Sequence, residues 1–146
     1  MKRLVDIGVI TALLVLHIVR CIPALAQAGN TIYGKDVQVI QFEDVAYPSV
    51  AQTGRMEGVV VVRVKLDTEG KVVAAETIYG DEVFVHTSIE NAKQWQFRPN
   101  SQSAASIVYR FRIEGVCHPG LRLSLTSFHP PNYVSVVGCA PVPEPR

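Results

Sequence analysis

The 146-residue sequence lacks both a charge imbalance and the motifs of common catalytic sites. Its 14 basic and 13 acidic side chains give a formal net charge of +1, which provides no electrostatic footprint for a nucleic acid. It contains no glycine-rich phosphate loop, no nucleophile elbow and no Cys–His catalytic set. These absences predict a protein that is not an enzyme, needs no cofactor and binds no nucleic acid.

Histidines are also few, and they are scattered along the chain. They lack the spacing of metal ligands, at His17, His86, His118 and His129. The acidic pair Asp81 and Glu82 precedes a helical pattern and is typical of a helix N-terminus rather than of a catalytic dyad. We therefore expect no metal site. An enzyme is only a remote alternative. A cluster of polar side chains in a deep pocket would favour it.

The N-terminus lacks an apolar run long enough for a typical membrane span. Lys2 and Arg3 precede an apolar run over residues 4–19, and Ala24-Leu25-Ala26 follows it. This order is typical of a secretory signal peptide, with cleavage after Ala26. The run is shorter than the about 20 residues that cross a bilayer, and it contains Asp6. An uncleaved anchor over residues 4–20 is the alternative, and only that form would contact a membrane.

Cysteine is scarce, with three residues in the chain. Removal of the signal peptide would leave Cys117 and Cys139 in an oxidising compartment, where a disulfide is the default expectation. Such a bond would contribute about 3 kcal/mol by constraining the unfolded chain. Two unrelated buried thiols are the alternative. A lipid on Cys21 is disfavoured because Arg20 stands where acylation signals carry a small residue.

The strongest structural signal is a β-hairpin between Gly58 and Tyr79. Apolar residues alternate along its first half, the turn Thr68–Lys71 contains a glycine, and a second β-branched run follows. Before it, Pro48 favours a short helix over residues 48–53. After it, Val85, Ile89, Ala92 and Trp95 recur at helical spacing, which predicts one amphipathic helix that ends before Pro99.

Two further strand signals follow the helix. Apolar residues alternate over 107–113, which predicts a third strand with a basic outer face. Residues 121–127 and 133–137 flank a proline-rich turn and predict a second hairpin. This hairpin either extends the main sheet or folds over the edge of the third strand, and the sequence leaves both alternatives open.

These elements predict an α+β fold with two layers. One main helix packs across a three-stranded antiparallel sheet in the order β-β-α-β, with Trp95 as the core anchor, and a C-terminal β-hairpin is added. The predicted organisation is a signal peptide (1–26), a leader (27–46), the two-layer domain (47–114) and a hairpin extension with a tail (115–146).

An ordered set of short motifs resembles the C-terminal domain of the TonB family. The motifs are Tyr47-Pro48, Glu57–Val62, the turn Thr68–Val72, Ala92–Pro99 and a final alternating strand that ends at Ile113. Two departures are a Glu-Gly turn in place of the family's Asp-Gly and a cysteine-bearing extension after Ile113.

The resemblance implies a periplasmic domain of double-membraned bacteria that grips short peptide segments of outer-membrane transporters, often by adding a strand to its sheet. We expect the third strand to carry these contacts, because an edge strand offers unpaired backbone groups. The candidate residues are Ile107, Val108, Tyr109, Arg110, Phe111, Arg112 and Ile113. Arg110 and Arg112 either select acidic positions of the peptide or keep the edge soluble. The partner is a protein or peptide, and a homodimer also remains open.

A membrane-anchored accessory energy transducer for TonB-dependent transport is the alternative function. The resemblance implies that a full transducer needs an inner-membrane anchor and a long proline-rich segment that extends to the outer membrane. Residues 27–46 span at most about 70 Å when fully extended. His17 is present, but the serine expected before it in such an anchor is not. These departures disfavour energy transduction by this chain.

We expect the exported protein to begin at Gln27, because the Ala-x-Ala motif ends at Ala26. Mass spectrometry of the mature N-terminus in cell extracts measures this directly. A signal at Met1 with an intact apolar run would instead support the anchored form.

Overall fold

The computed structural model describes residues 37–99, 101–118 and 124–142. The predicted signal peptide, the first ten residues of the predicted leader and the end of the tail lie outside these residues. The elements are β1 (Val39–Gln41), α1 (Ser49–Thr53), β2 (Gly58–Leu66), β3 (Val72–Gly80), α2 (Glu82–Ala92), β4 (Gln96–Phe97), β5 (Ala104–Val116), β6 (Ser124–His129) and β7 (Tyr133–Ala140).

Five strands form one mixed sheet in the order β3-β2-β5-β7-β6. Strand β2 pairs antiparallel with β3 and β5, and β6 pairs antiparallel with β7. Strand β7 runs parallel to β5. The α+β class is confirmed, but the predicted three-stranded antiparallel sheet is corrected in strand number and in type. The C-terminal hairpin continues the main sheet, and β1 pairs separately with β4.

The predicted β2–β3 hairpin is present. Side chains of β2 alternate as expected, with Val60, Val62 and Val64 fully buried. Asp67 organises the turn, because its carboxylate accepts hydrogen bonds from the backbone N–H groups of residues 69 and 71 at 2.9 and 2.8 Å. Gly70 is required there: its φ is +81°, and a Cβ atom would lie 2.1 Å from the carbonyl oxygen of Phe97.

The face that helix α2 packs against the sheet matches the predicted stripe only in part. Its buried residues are Phe84, Ser88, Asn91 and Ala92, whereas Val85 and Ile89 are only partly buried. Ala92 and Trp95 of the predicted stripe are buried, so the observed face overlaps the predicted one and is shifted toward Phe84 and Asn91. Asp81 is the N-cap in extended conformation, as predicted, but makes no side-chain capping hydrogen bond.

Trp95 is the core anchor, as predicted, although it lies beyond the end of α2 rather than on it. Its side chain is 2% exposed, and its Nε1 donates a 2.8 Å hydrogen bond to Oδ1 of Asn91. The hydroxyl of Tyr109 on β5 donates to the same oxygen at 2.9 Å. The Asn91 amide nitrogen donates to the backbone carbonyl of Glu43 at 2.9 Å. One buried amide therefore joins α2, the central strand and the leader.

The core extends on both sides of the predicted 47–114 domain. Val45 of the leader is 1% exposed, and Val134 and Val136 of β7 are fully buried. The ring of Phe128 on β6 lies 5.5 Å from that of Trp95. Gly138 faces Tyr47 so closely that a Cβ atom would lie 2.8 Å from its ring. The C-terminal hairpin is therefore built into the same core as the helix.

We expect the substitution Asn91→Ala to lower the free energy of unfolding by about 3 kcal/mol, because it leaves the donors of Trp95 and Tyr109 buried without their acceptor. Urea unfolding measures this. His86→Ala, on the exposed side of the same helix, is the control and should change stability by less than about 0.5 kcal/mol. Equal effects of the two substitutions would contradict the role given to Asn91.

Candidate functional site

An open sheet can bind another chain at two places, its outer edges and the face that no helix covers. Outer strands carry backbone N–H and C=O groups that have no strand partner. In the described residues the outer strands are β3 and β6. The face opposite α2, called here the open face, carries the alternate side chains of the five strands.

The predicted peptide-binding residues lie in β5, and the expected free edge there is absent. Strand β2 pairs along one side of β5 and β7 along the other. Asn132, in the loop before β7, adds two contacts: its carbonyl accepts from Val108 N–H at 2.9 Å, and its side chain donates to the carbonyl of Ser106 at 2.7 Å. A guest strand therefore cannot pair with Ile107–Ile113 while β7 is in place.

Side chains of the predicted site are divided between the two sheet faces. Ile107, Tyr109 and Phe111 are buried in the core. Arg110 and Arg112 lie on the open face, with Arg110 exposed and Arg112 paired to Glu114 at 3.2 Å. The side chains of Arg112 and Glu114 are 42% and 57% exposed, so their ion pair contributes at most about 1 kcal/mol to stability. The arginines are thus placed for contacts across the open face rather than at an edge.

The outer edge of β3 is interrupted by two bulges. Val73 and Ile78 have no partner in the register with β2, which leaves Ala74–Thr77 as the regular part of the strand. Glu76 on this segment pairs with Arg63 at 3.6 Å. Bulges and charges on an edge strand hinder the addition of a further strand. The apolar pattern of the sequence predicted this strand but not its bulges.

The outer edge of β6 is regular and contains no Lys, Arg, Asp or Glu. Its register with β7 runs from Ser124 to His129 without a shift. Leu125 is 67% exposed on this strand. On the core side, the hydroxyl of Thr126 accepts a 2.9 Å hydrogen bond from Val45 N–H. The sequence pattern predicted this strand only as part of a hairpin, although residues 124–129 contain no Lys, Arg, Asp or Glu that would protect an edge.

The predicted disulfide between Cys117 and Cys139 is present and joins the ends of β5 and β7. Cys117 N–H donates to the carbonyl of Ala140 at 2.7 Å, and the buried side chain of Gln52 on α1 donates to the carbonyl of Cys139 at 3.0 Å. Beside the disulfide is a partly open hollow of about 170 Å³, which Leu125 of β6 helps to line.

Burial or hydrogen bonding shifts the pKa of three side chains, those of Tyr47, Tyr109 and Glu90. Burial, with a smaller effect of Glu57, raises the pKa of Tyr47 to about 12, and its hydroxyl donates to the carbonyl of Met56 at 2.6 Å. Burial also raises the pKa of Tyr109. A hydrogen bond from Lys93 lowers the pKa of Glu90. The two tyrosine hydroxyls take part in hydrogen bonds of the core, and Glu90 pairs with Lys93 on the surface.

The described parts of the chain contain neither a candidate metal-binding cluster nor a candidate membrane-spanning helix. Residues 37–99, 101–118 and 124–142 contain no group of three or more His, Cys, Asp or Glu side chains placed to hold a metal ion. The same residues contain no helix that is long and apolar enough to cross a membrane.

Comparison with known proteins confirms the resemblance over part of the chain. Residues 43–114 match the family described as Gram-negative bacterial TonB protein C-terminal. This family is a non-enzymatic protein-interaction module of TonB-dependent transport, and its domains are periplasmic in Gram-negative bacteria. None of the curated proteins compared with the chain matches it.

A solved structure is also similar, the solution NMR structure of the Pseudomonas aeruginosa TonB C-terminal domain. It is 21% identical, with a TM-score of 0.46, and the match covers 54% of this chain and 88% of that chain. The family match ends at residue 114, so β6 and β7 lie outside it.

We expect the double substitution Cys117→Ala/Cys139→Ala to lower the free energy of unfolding by about 3 kcal/mol, because the disulfide closes a loop of 22 residues. Urea unfolding of the oxidised protein and the variant measures the difference. The wild type unfolded under reducing conditions is the control and should match the variant. An unchanged stability would show that the hairpin is held without the disulfide.

Proposed function

We propose that this chain, whose residues 43–114 match the TonB C-terminal family, is a periplasmic protein-binding module that takes up an extended peptide segment of an outer-membrane transporter by strand addition. The observation that carries the proposal is the architecture of the sheet. It is open, and it ends in outer strands with no further strand partner in the described residues.

Strand addition suits such a sheet for an energetic reason. Each new backbone hydrogen bond contributes a net of about 1 kcal/mol, because it replaces bonds to water. A short segment therefore gains only a few kcal/mol from the backbone before it loses conformational freedom, and the side-chain contacts must supply the rest. We accordingly expect weak, reversible binding, with dissociation constants on the order of micromolar.

The predicted site residues take a modified role in this proposal. Ile107–Ile113 support the sheet from its centre, and their basic side chains face the partner across the open face. Arg110 is exposed there, and it is aligned with two small residues, Ser135 on β7 and Ser127 on β6. We propose that Arg110 and Arg112 contact acidic side chains of a partner that lies over this face.

We expect some peptides from a tiled library of the periplasm-facing segments of outer-membrane transporters to bind the purified, oxidised protein. Because the peptide pairs with an outer strand, it should slow amide hydrogen exchange in β3 or in β6. Fluorescence polarisation measures affinity, and hydrogen exchange with mass spectrometry locates the protection.

The control is each binding peptide with proline at alternate positions, which removes backbone donors and should abolish binding. Failure of every peptide to bind would contradict the proposal. Binding that protects only α1, α2 or the loops would contradict strand addition.

A further inference from the structure

Strand β7 of the C-terminal hairpin pairs along one edge of β5. Strand β7 runs parallel to β5 from Val108 to Ile113, and two of its side chains, Val134 and Val136, are fully buried. The disulfide fixes its far end and Asn132 its near end. Removal of the hairpin would expose core residues and empty the space against Trp95 that Phe128 fills. The hairpin therefore moves the edge of the sheet outward by two strands.

The two remaining edges differ in their suitability for an added strand. An added strand needs a regular row of outward backbone groups. On β3 this row is limited to Ala74–Thr77 between two bulges, and a bridge from Lys71 to Gln96 closes off its start. On β6 the register is unbroken over Ser124–His129. The β6 edge also has none of the charges with which natural proteins block strand addition.

An apolar hollow lies next to the β6 edge. The hollow beside the disulfide is lined by Leu125, Val116 and Val137 among others, and Leu125 lies near the start of β6. Leu125 and Val116 are 67% and 62% exposed. Strand-adding ligands use side-chain pockets beside the backbone ladder for specificity. The hollow has a volume of about 170 Å³, which suits one apolar side chain of a guest strand.

We infer that the outer edge of β6 is the acceptor edge of this protein, and that its occupant is an extended peptide with an apolar side chain that enters the hollow beside Leu125. This inference rests on the proposed function and specifies its site. The site belongs to the segment beyond residue 114, outside the region matched by the family.

A matched pair of lysine substitutions tests the inference. Ser127 on β6 and Ala74 on β3 are both small, exposed residues on the open side of an outer strand. Lysine at either position adds the same charge to one edge and leaves the other edge unchanged. The probe is the tightest peptide found in the transporter library, with affinity measured by fluorescence polarisation and folding checked by thermal unfolding.

We expect Ser127→Lys to weaken binding at least tenfold and Ala74→Lys to change it less than twofold. A larger effect of Ala74→Lys, equal effects or no effect of either would overturn the inference but leave the proposed function standing. If no peptide binds the wild type, the proposed function fails and the inference fails with it.

Photo-crosslinking identifies the occupant independently. A photoreactive phenylalanine analogue at Leu125 should capture the peptide, whereas the same residue at Ile78, an exposed apolar position on β3, should not. Alanine at one apolar position of the peptide should remove most of this crosslink. A crosslinked dimer of the protein that Ser127→Lys abolishes would assign the edge to a second copy of the chain and overturn the peptide occupant.

Discussion

The side-chain amide of Asn91 is the interaction on which the rest of the structure depends. Its oxygen accepts hydrogen bonds from Trp95 and Tyr109, and its nitrogen donates to the leader backbone at Glu43. The bonds to Trp95 and Tyr109 are buried, and the bond to the leader is part-buried. The penalty for leaving a buried donor unpaired is larger than the gain from pairing it. The amide therefore specifies one arrangement of helix, sheet and leader.

That arrangement places Trp95 against the C-terminal hairpin. Its ring lies 5.5 Å from Phe128, and Tyr47 packs against the backbone at Gly138. The residues that carry the family resemblance thus contact the segment that the family match does not cover. Because Val134 and Val136 are buried in the same core, the hairpin is an integral part of the sheet and not a tail laid over it.

Sequence patterns over adjacent residues predicted the individual strands and the first hairpin. They did not predict the pairing of strands that are distant in sequence. The alternation in β2 and the glycine turn fixed the first hairpin, since both depend on adjacent residues. The face of α2 was only partly predicted, because Phe84 and the polar residue Asn91 were left out of the periodic set. The parallel pairing of β5 with β7 depends on burial of Val134 and Val136 against residues distant in sequence. No periodicity within either strand contains that information.

The consequence for binding follows from the geometry of open sheets. Addition of strands moves an edge but does not remove it, because only closure into a barrel abolishes edges. The chain fills the β5 edge with its own hairpin, and among the described residues the outer row of backbone groups on β6 has no strand partner. Selection against unwanted pairing normally places charges or bulges on such a strand, as seen at Glu76 and at the two bulges of β3. Ser124–His129 contains no Lys, Arg, Asp or Glu and no register shift, and this difference from β3 is the reason for placing the proposed acceptor edge on β6.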